Sequence, residues 1–270
     1  MEKAAEIQRD ILEPAERLLS SQPSLLRISG RTLAIGDLHG DLEAATSAVE
    51  LFGKGGHEHL LFLGDYVDRG RHSVPLLELI IKEMLADPGR VHMLRGNHET
   101  LWVNDEHGFR DELVERGLGA LHIPFNDMFS QLPIAAVIDG TVLAVHGGVP
   151  EGLPSLDDIK AIRKGVVEPK EARDGLMLGL MWNDPKESLQ GFAPNTYRGY
   201  MNVFGRQAFE DFMGKNELKG MVRGHQRWPE GYRYFFDTRI LSVFSCASYC
   251  PNVRKKAATV DNAAFAILDL

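Results

Sequence analysis

Seven residues suited to binding metal or phosphate, Asp37, His39, Asp65, Asp68, Arg69, Asn97 and His98, fall in three short blocks. The blocks read GDLHGD at 36–41, GDYVDRG at 64–70 and GNHE at 96–99. Carboxylates, an imidazole and a carboxamide, with no thiolate among them, are hard or borderline ligands that suit manganese, iron, zinc or magnesium. A carboxylate such as Asp65 can bridge two cations. The glycines ahead of the acids let the backbone turn sharply without a Cβ clash. One such block is a weak signal; three at intervals of about thirty residues are a strong one.

The elements that must position these residues can be read around them. Each block closes an apolar run, at 33–35, 60–63 and 91–94, short enough for a buried strand, and two helix-like segments lie between the runs. That is a β-α-β-α-β pattern. Loops leaving the carboxyl ends of neighbouring parallel strands converge on one sheet edge, where open α/β folds bind ligands.

The bulk properties narrow the class. The chain has 270 residues, 44% of them hydrophobic and 25% charged, and candidate site residues run from Asp37 to Tyr249 with no linker-like stretch, so one catalytic domain is expected. A formal net charge of -8 argues against nucleic acid as the main partner, since that binding relies on clustered Lys and Arg. No signal peptide or membrane-spanning apolar run is present, and two cysteines, Cys246 and Cys250, make no disulfide framework. The reading is a cytoplasmic protein without a membrane partner. No signal decides whether a regulatory subunit exists.

Along the chain, the segment to about residue 20 places Ile7, Ile11, Ala15, Leu18 and Leu19 at helical spacing and is expected to pack on the domain. Asp41 reads as the N-cap of a helix whose buried stripe is Leu42, Ala45, Val49 and Phe52. His57 and His59 alternate like a metal pair, but beside a glycine-rich loop they read as solvated loop and strand entry. A helix is expected over 73–86. A hairpin is expected at 134–145, turning at Asp139-Gly140 in a two-residue type I′ turn and delivering His146 at a strand end. Residues 151–173 read as a helical surface excursion, 190–198 as loop and 203–212 as helix. Strands are expected near 220–222, 232–236, 240–244 and 264–268. Strands late in the chain point to a second sheet packed on the first, a mixed α/β β-sandwich flanked by helices.

The three blocks resemble the signature of the metal-dependent phosphoprotein phosphatases, the PPP family: GDxHG, GDxVDRG and GNHE. The resemblance continues through 132–148, LMWNDP at 180–185, Tyr197-Arg198-Gly199, VRGHQ at 222–226 and FSCASYC at 244–250, covering about residues 30 to 250 in the manner of the eukaryotic-type serine/threonine enzymes. It implies a calcineurin-like metallophosphoesterase fold, with an N-terminal helix and lead-in at 1–29 and a catalytic domain at 30–270. It also implies two divalent or trivalent metal ions, manganese foremost with iron or zinc as alternatives. One is held by Asp37, His39 and Asp65, the other by Asp65, Asn97, His146 and His225. Arg69 and Arg198, with Asn97 and Tyr249, would bind the substrate phosphate; His98 would protonate the leaving oxygen, held by Asp68. The implied reaction is hydrolysis of phosphoserine or phosphothreonine, with phosphotyrosine as a further substrate, by a dimetal-bridging hydroxide on a phosphorylated protein. A dinucleoside polyphosphate hydrolase and a phosphoprotein-binding scaffold are the alternatives.

The sequence departs from the family pattern in four places. Asp41 stands where glutamine is usual, SCASYC replaces SAPNYC, His107 replaces a tyrosine, and NVRKKAAT at 252–259 lacks the usual acidic glycine-containing stretch.

Overall fold

The computed structural model describes residues 2–252, 257–260 and 262–269. Helices α1 (Glu2–Ile7) and α2 (Glu13–Ser21) join through a π turn, and β1 (Leu25–Ile28) and β2 (Thr32–Ile35) follow. Then come α3 (Leu42–Gly53), β3 (His59–Phe62), α4 (Ser73–Ala86), β4 (Val91–Met93), α5 (Leu101–Asn104), α6 (Phe109–Glu115) and α7 (His122–Ser130). The hairpin β5 (Ala135–Ile138) and β6 (Val142–Val145) leads to α8 (Leu156–Lys160), α9 (Glu171–Trp182), β7 (Asp184–Pro185), β8 (Phe192–Pro194), β9 (Asn202–Phe204) and α10 (Arg206–Lys215). Strands β10 (Gly220–Arg223), β11 (Tyr232–Phe235), β12 (Ile240–Val243), β13 (Ser248–Asn252), β14 (Ala257–Val260) and β15 (Phe265–Leu268) complete the order.

Two sheets face each other, one ordered β15-β2-β3-β4 and the other β1-β5-β6-β10-β12-β11. Strands β2, β3 and β4 are parallel neighbours, as the block spacing implies. Because successive side chains point to opposite faces, each strand serves two cores. Ala34, Leu61, Leu63, Ala136, Ile138 and Ala144 pack between the sheets. Leu33, Ile35, Leu60 and Phe62 point outward to a core shared with Ile7, Ile11, Leu12, Ala15 and Leu19 of the N-terminal helices. Val137, Leu143 and Val145 point the other way, to α9 and α10. The expected sandwich flanked by helices is what forms. No helix among the described residues is long and apolar enough to cross a membrane.

Several local expectations shift. In α3 the buried face is Ala44, Ala45 and Ala48, because small side chains let it lie close on α4; Leu42, Val49 and Phe52 are half-buried. The hairpin has positive φ at Asp139 and Gly140 as expected, but Ile138 pairs with Val142, so Thr141 is an extra turn residue. Its carbonyl accepts the N–H of Lys219 and Gly220 instead, which seats β10 beside β6. Residues 151–170 hold one short helix, α8, with a capping box of Ser155 and Asp158, and α9 begins at Glu171. Residues 190–198 contain β8, which pairs with β9, so the helix expected from 203 begins at Arg206. Cross-strand pairing sets these boundaries, and no local periodicity reports it. The family departure in NVRKKAAT falls partly on residues 253–256, outside the described residues.

Candidate metal centre

Three loops leave β2, β3 and β4 at the same edge, and their backbones hold one another. Leu38 and His39 donate their N–H groups to the Asp65 carbonyl at 3.0 and 2.9 Å. Asp65 and Gly96 both donate to Glu99 Oε2 at 2.8 and 3.0 Å, and Tyr66 donates to Oε1 at 2.9 Å. The approach is too close for side chains at the crossing points. A Cβ on Gly96 would lie 2.3 Å from Asp65 Oδ1, and one on Gly64, where φ is 108°, would lie 2.4 Å from Gly96 N. His39, Asp65, Asp68, Arg69 and His225 all adopt positive φ, between 43° and 72°. Such backbone is costly for non-glycine residues and persists where surrounding contacts impose it.

The hydrogen bonds fix which ring nitrogens carry protons. A carbonyl only accepts, so His39 Nδ1 donates to Val67 O at 2.8 Å and its Nε2 lone pair is left 3.5 Å from Asp65 Oδ2 and 3.8 Å from Asp37 Oδ2. By the same reasoning His146 Nδ1 donates to Leu63 O and His225 Nε2 to Trp182 O. The remaining lone pairs, on His146 Nε2 and His225 Nδ1, face each other at 3.1 Å. Asp65 Oδ1 lies 3.2 Å and Asn97 Oδ1 2.9 Å from that same His146 nitrogen. With both rings neutral these are four converging acceptor atoms; burial opposes charge on His146, but Asp65 and Asp37 raise its pKa, so the cluster draws in positive charge, whether a proton on His146 Nε2 or a cation. These nitrogen and oxygen donors suit a hard or borderline cation. His39 Nε2 with Asp37 Oδ2 and Asp65 Oδ2 makes a second acceptor set that shares Asp65 with the first, His98 lying close enough to Asp65 and His39 to join it, and all these side chains are buried.

Electrostatics carries the same message. Burial, then Asp65, pushes Asp37 up to about 6, and burial, then His98, pulls His39 down to about 3. Burial also opposes ionisation of Asp65, but His146, His98 and His39 hold it below the ordinary carboxylate range. Burial, then Arg198, holds His225 well below the usual imidazole value.

Beside the acceptor sets, His98 Nδ1 donates to Asp68 Oδ2 at 2.5 Å, and Asp68 Oδ1 accepts the Phe109 N–H at 2.9 Å. Burial disfavours the charged ring, yet Asp65 and Asp68 together raise its pKa. Half-buried Arg69 follows Asp68, and its N–H donates to the carbonyl of His107, whose ring stands edge-on to His98 at 5.5 Å. On the other side Arg198 Nε donates to Asp184 Oδ2 at 2.6 Å and its Nη2 to His225 O at 2.9 Å. The Tyr249 ring lies 5.3 Å from that of His39, and burial raises its phenol. Every candidate site residue named from the sequence thus lies in one neighbourhood.

A family profile described as calcineurin-like phosphoesterase matches residues 30–229. The chain belongs to that family. It is 32% identical over 245 residues, 90% of its length, to the serine/threonine-protein phosphatase PP2A-like PPG1 of Candida albicans. It spans 58% of that relative's length. A Saccharomyces cerevisiae protein serine/threonine phosphatase, described as similar to human phosphatase PP5, superposes with a TM-score of 0.80 at 28% identity, over 92% of this chain and 84% of that one. The cold-active protein-tyrosine phosphatase of a psychrophilic Shewanella shares the fold, with a TM-score of 0.60 at 19% identity over 84% of this chain and 74% of that one. The PPP resemblance of the motifs stands.

Three residues of the site carry roles that no motif assigned them. Glu99 organises the loops, while Asp184 anchors both Arg198 and fully buried Arg223, the latter at 3.0 Å. Their signal was present, since Glu99 ends GNHE and Asp184 sits in LMWNDP, but neither motif says what its acid touches. Asp41 is the N-cap of α3, accepting from Ala44, and a second oxygen accepts from Ala247 and Ser248. One reading is corrected: His57 is buried, 7% exposed, where a solvated loop was expected, because Arg90 folds over the loop and donates to its carbonyl. His59 pairs with His92, 3.1 Å away, rather than with His57.

Proposed function

We propose that the protein is a metal-dependent phosphoprotein phosphatase that hydrolyses phosphoserine and phosphothreonine monoesters, with phosphotyrosine as a further substrate. The observation that carries this reading is the pair of acceptor sets sharing Asp65, flanked by a buried His98–Asp68 pair and by Arg198. The names of the Candida and Saccharomyces relatives support a protein substrate over a dinucleotide. The donor chemistry fits two hard or borderline cations, manganese foremost, with Asp37, His39 and Asp65 on one side and Asp65, Asn97, His146 and His225 on the other. When bound, such a pair lowers the pKa of water and neutralises charge on the phosphoryl oxygens.

The chain's own residues do the rest. Arg69 and Arg198 offer planar guanidinium donors to the non-reacting phosphate oxygens, and Asp184 fixes the plane of Arg198 before substrate arrives. Asn97 and Tyr249 border the same space. His98, whose charged form Asp65 and Asp68 favour against its burial, gives its Nε2 proton to the departing oxygen. A serine or threonine alkoxide needs that proton more than a tyrosine phenolate does.

The test is phosphate release, with manganese and with chelator, from phosphoserine, phosphothreonine and phosphotyrosine peptides and from diadenosine tetraphosphate. Metal-dependent release from the peptides, abolished by Asp65→Asn, is expected. His98→Ala is expected to lose about 10² to 10⁴ in rate on phosphoserine and less on phosphotyrosine. Release from the dinucleotide alone would sink the proposal, and equal losses on the two peptides would remove His98 from the acid role.

A further inference from the structure

Against the His98 carbonyl lies a buried polar network that the reaction as described does not use. Asn104 ends α5; His122 and Asn126 lie one turn apart on α7. Asn104 is 0%, Asn126 1% and His122 7% exposed. Polar groups so deep in an otherwise apolar helical layer cost free energy unless each is satisfied.

The two amides and the His122 Nε2 are satisfied, and in a single orientation, while His122 Nδ1 lies 3.9 Å from Asp105 Oδ1. Asn104 Nδ2 donates to the His98 carbonyl at 3.0 Å, which fixes that amide because a carbonyl cannot donate. Its second N–H goes to Asn126 Oδ1 at 2.8 Å, and Asn126 Nδ2 returns a hydrogen bond to Asn104 Oδ1 at 3.1 Å. Asn126 Nδ2 also donates to the His122 carbonyl at 2.9 Å, which fixes the second amide. Asn104 Oδ1 keeps one lone pair, and His122 Nε2 lies 2.7 Å from it, so Nε2 carries the imidazole proton. Burial lowers the His122 pKa, consistent with a neutral ring bearing that one N–H. All donors and acceptors of the Asn104 amide are used.

The His98 main chain is therefore clamped at both ends, its N–H by Asp65 Oδ1 at 3.0 Å and its C=O by Asn104. We propose that Asn104 is a positioning residue that sets the His98 imidazole for proton delivery, and that the Nε2–H of His122 locks Asn104 in the orientation this requires. The inference rests on the proposed phosphatase reaction and on His98 as its acid. Sub-ångström misplacement of such a group is costly because proton transfer depends steeply on distance and angle.

The experiment compares kcat and KM on a phosphoserine peptide, whose alkoxide needs protonation, with those on p-nitrophenyl phosphate, whose leaving group does not. The proteins are wild type, His98→Ala, Asn104→Leu, His122→Leu and His122→Gln, each checked for thermal unfolding and metal content. Asn104→Leu and His122→Leu are expected to lose about tenfold or more in kcat on the peptide, far less on the aryl ester, with KM little changed. His122→Gln, which keeps an N–H donor, is expected to stay near wild type on both. Equal losses on the two esters, no loss at all, or a Gln variant as impaired as the Leu variant would overturn the inference. If Asn104→Leu fails to fold, the His122 pair decides it alone. Should His98→Ala lose equally on both esters, the acid role falls and this inference with it. Should wild type release no phosphate, the phosphatase reading itself fails.

Discussion

Glu99 shows how a residue can govern the site without touching the chemistry. Its carboxylate accepts N–H groups from Asp65, Tyr66 and Gly96, tying the loop after β3 to the loop after β4. Burial, then the Asp65 charge, pushes its pKa up to about 7, so the acid is held at the edge of ionisation by its surroundings. Glu99→Ala would leave buried backbone donors unpaired, and the expected loss is about 3 to 5 kcal/mol of stability in urea unfolding. Glu99→Gln keeps the volume but turns one N–H₂ toward a donor, so an intermediate loss is expected. An alanine variant within about 1 kcal/mol of wild type would contradict this account.

At the scale of elements, the site is a product of strand ends and one helix start. Asp41 caps α3 through one oxygen and with the other holds Ala247 and Ser248, the approach to Tyr249. Asp41→Ala removes the cap and the tether together. The expected cost is about 1 to 2 kcal/mol, a fall in Tm of about 2 to 6 °C by calorimetry, with a rise in KM as Tyr249 loses its support. A fall in Tm with KM unchanged would confine Asp41 to the helix.

At the scale of the molecule, the pleated alternation gives three cores from two sheets, and one of its polar exceptions has a pH signature. His59 Nε2 donates to Ser29 O, so His92 Nε2 donates to His59 Nδ1 across β3 and β4. Burial, then His59, pulls His92 down to about 4 from an ordinary 6.5. Between those values the unfolded chain binds the proton that the folded one refuses, so this contribution is complete above pH 6.5 and is lost as pH falls toward 4. After allowance for partial exposure it amounts to about 2 kcal/mol. Urea midpoints at pH 7.5 and 5 should converge more closely in His92→Gln than in wild type; an unchanged difference would assign the acid sensitivity to other groups.

The sequence by itself determined the three parallel strands, the blocks at their ends, the sandwich and the list of candidate ligands. It could do so because strand-ending glycines, acids at fixed offsets and period-two apolar runs are local signals that report local backbone. The hairpin and Asp41 were legible for the same reason. Only the tertiary structure decided which lone pairs face which, that Glu99 ties the candidate-ligand loops together and Asp184 holds the two arginines, that β8 pairs with β9 and that His57 is buried. It also brought Asn104, Asn126 and His122 together against the His98 carbonyl. Each of these depends on contacts between residues distant in sequence or on a hydrogen-bond direction, and neither leaves a periodic trace in the chain.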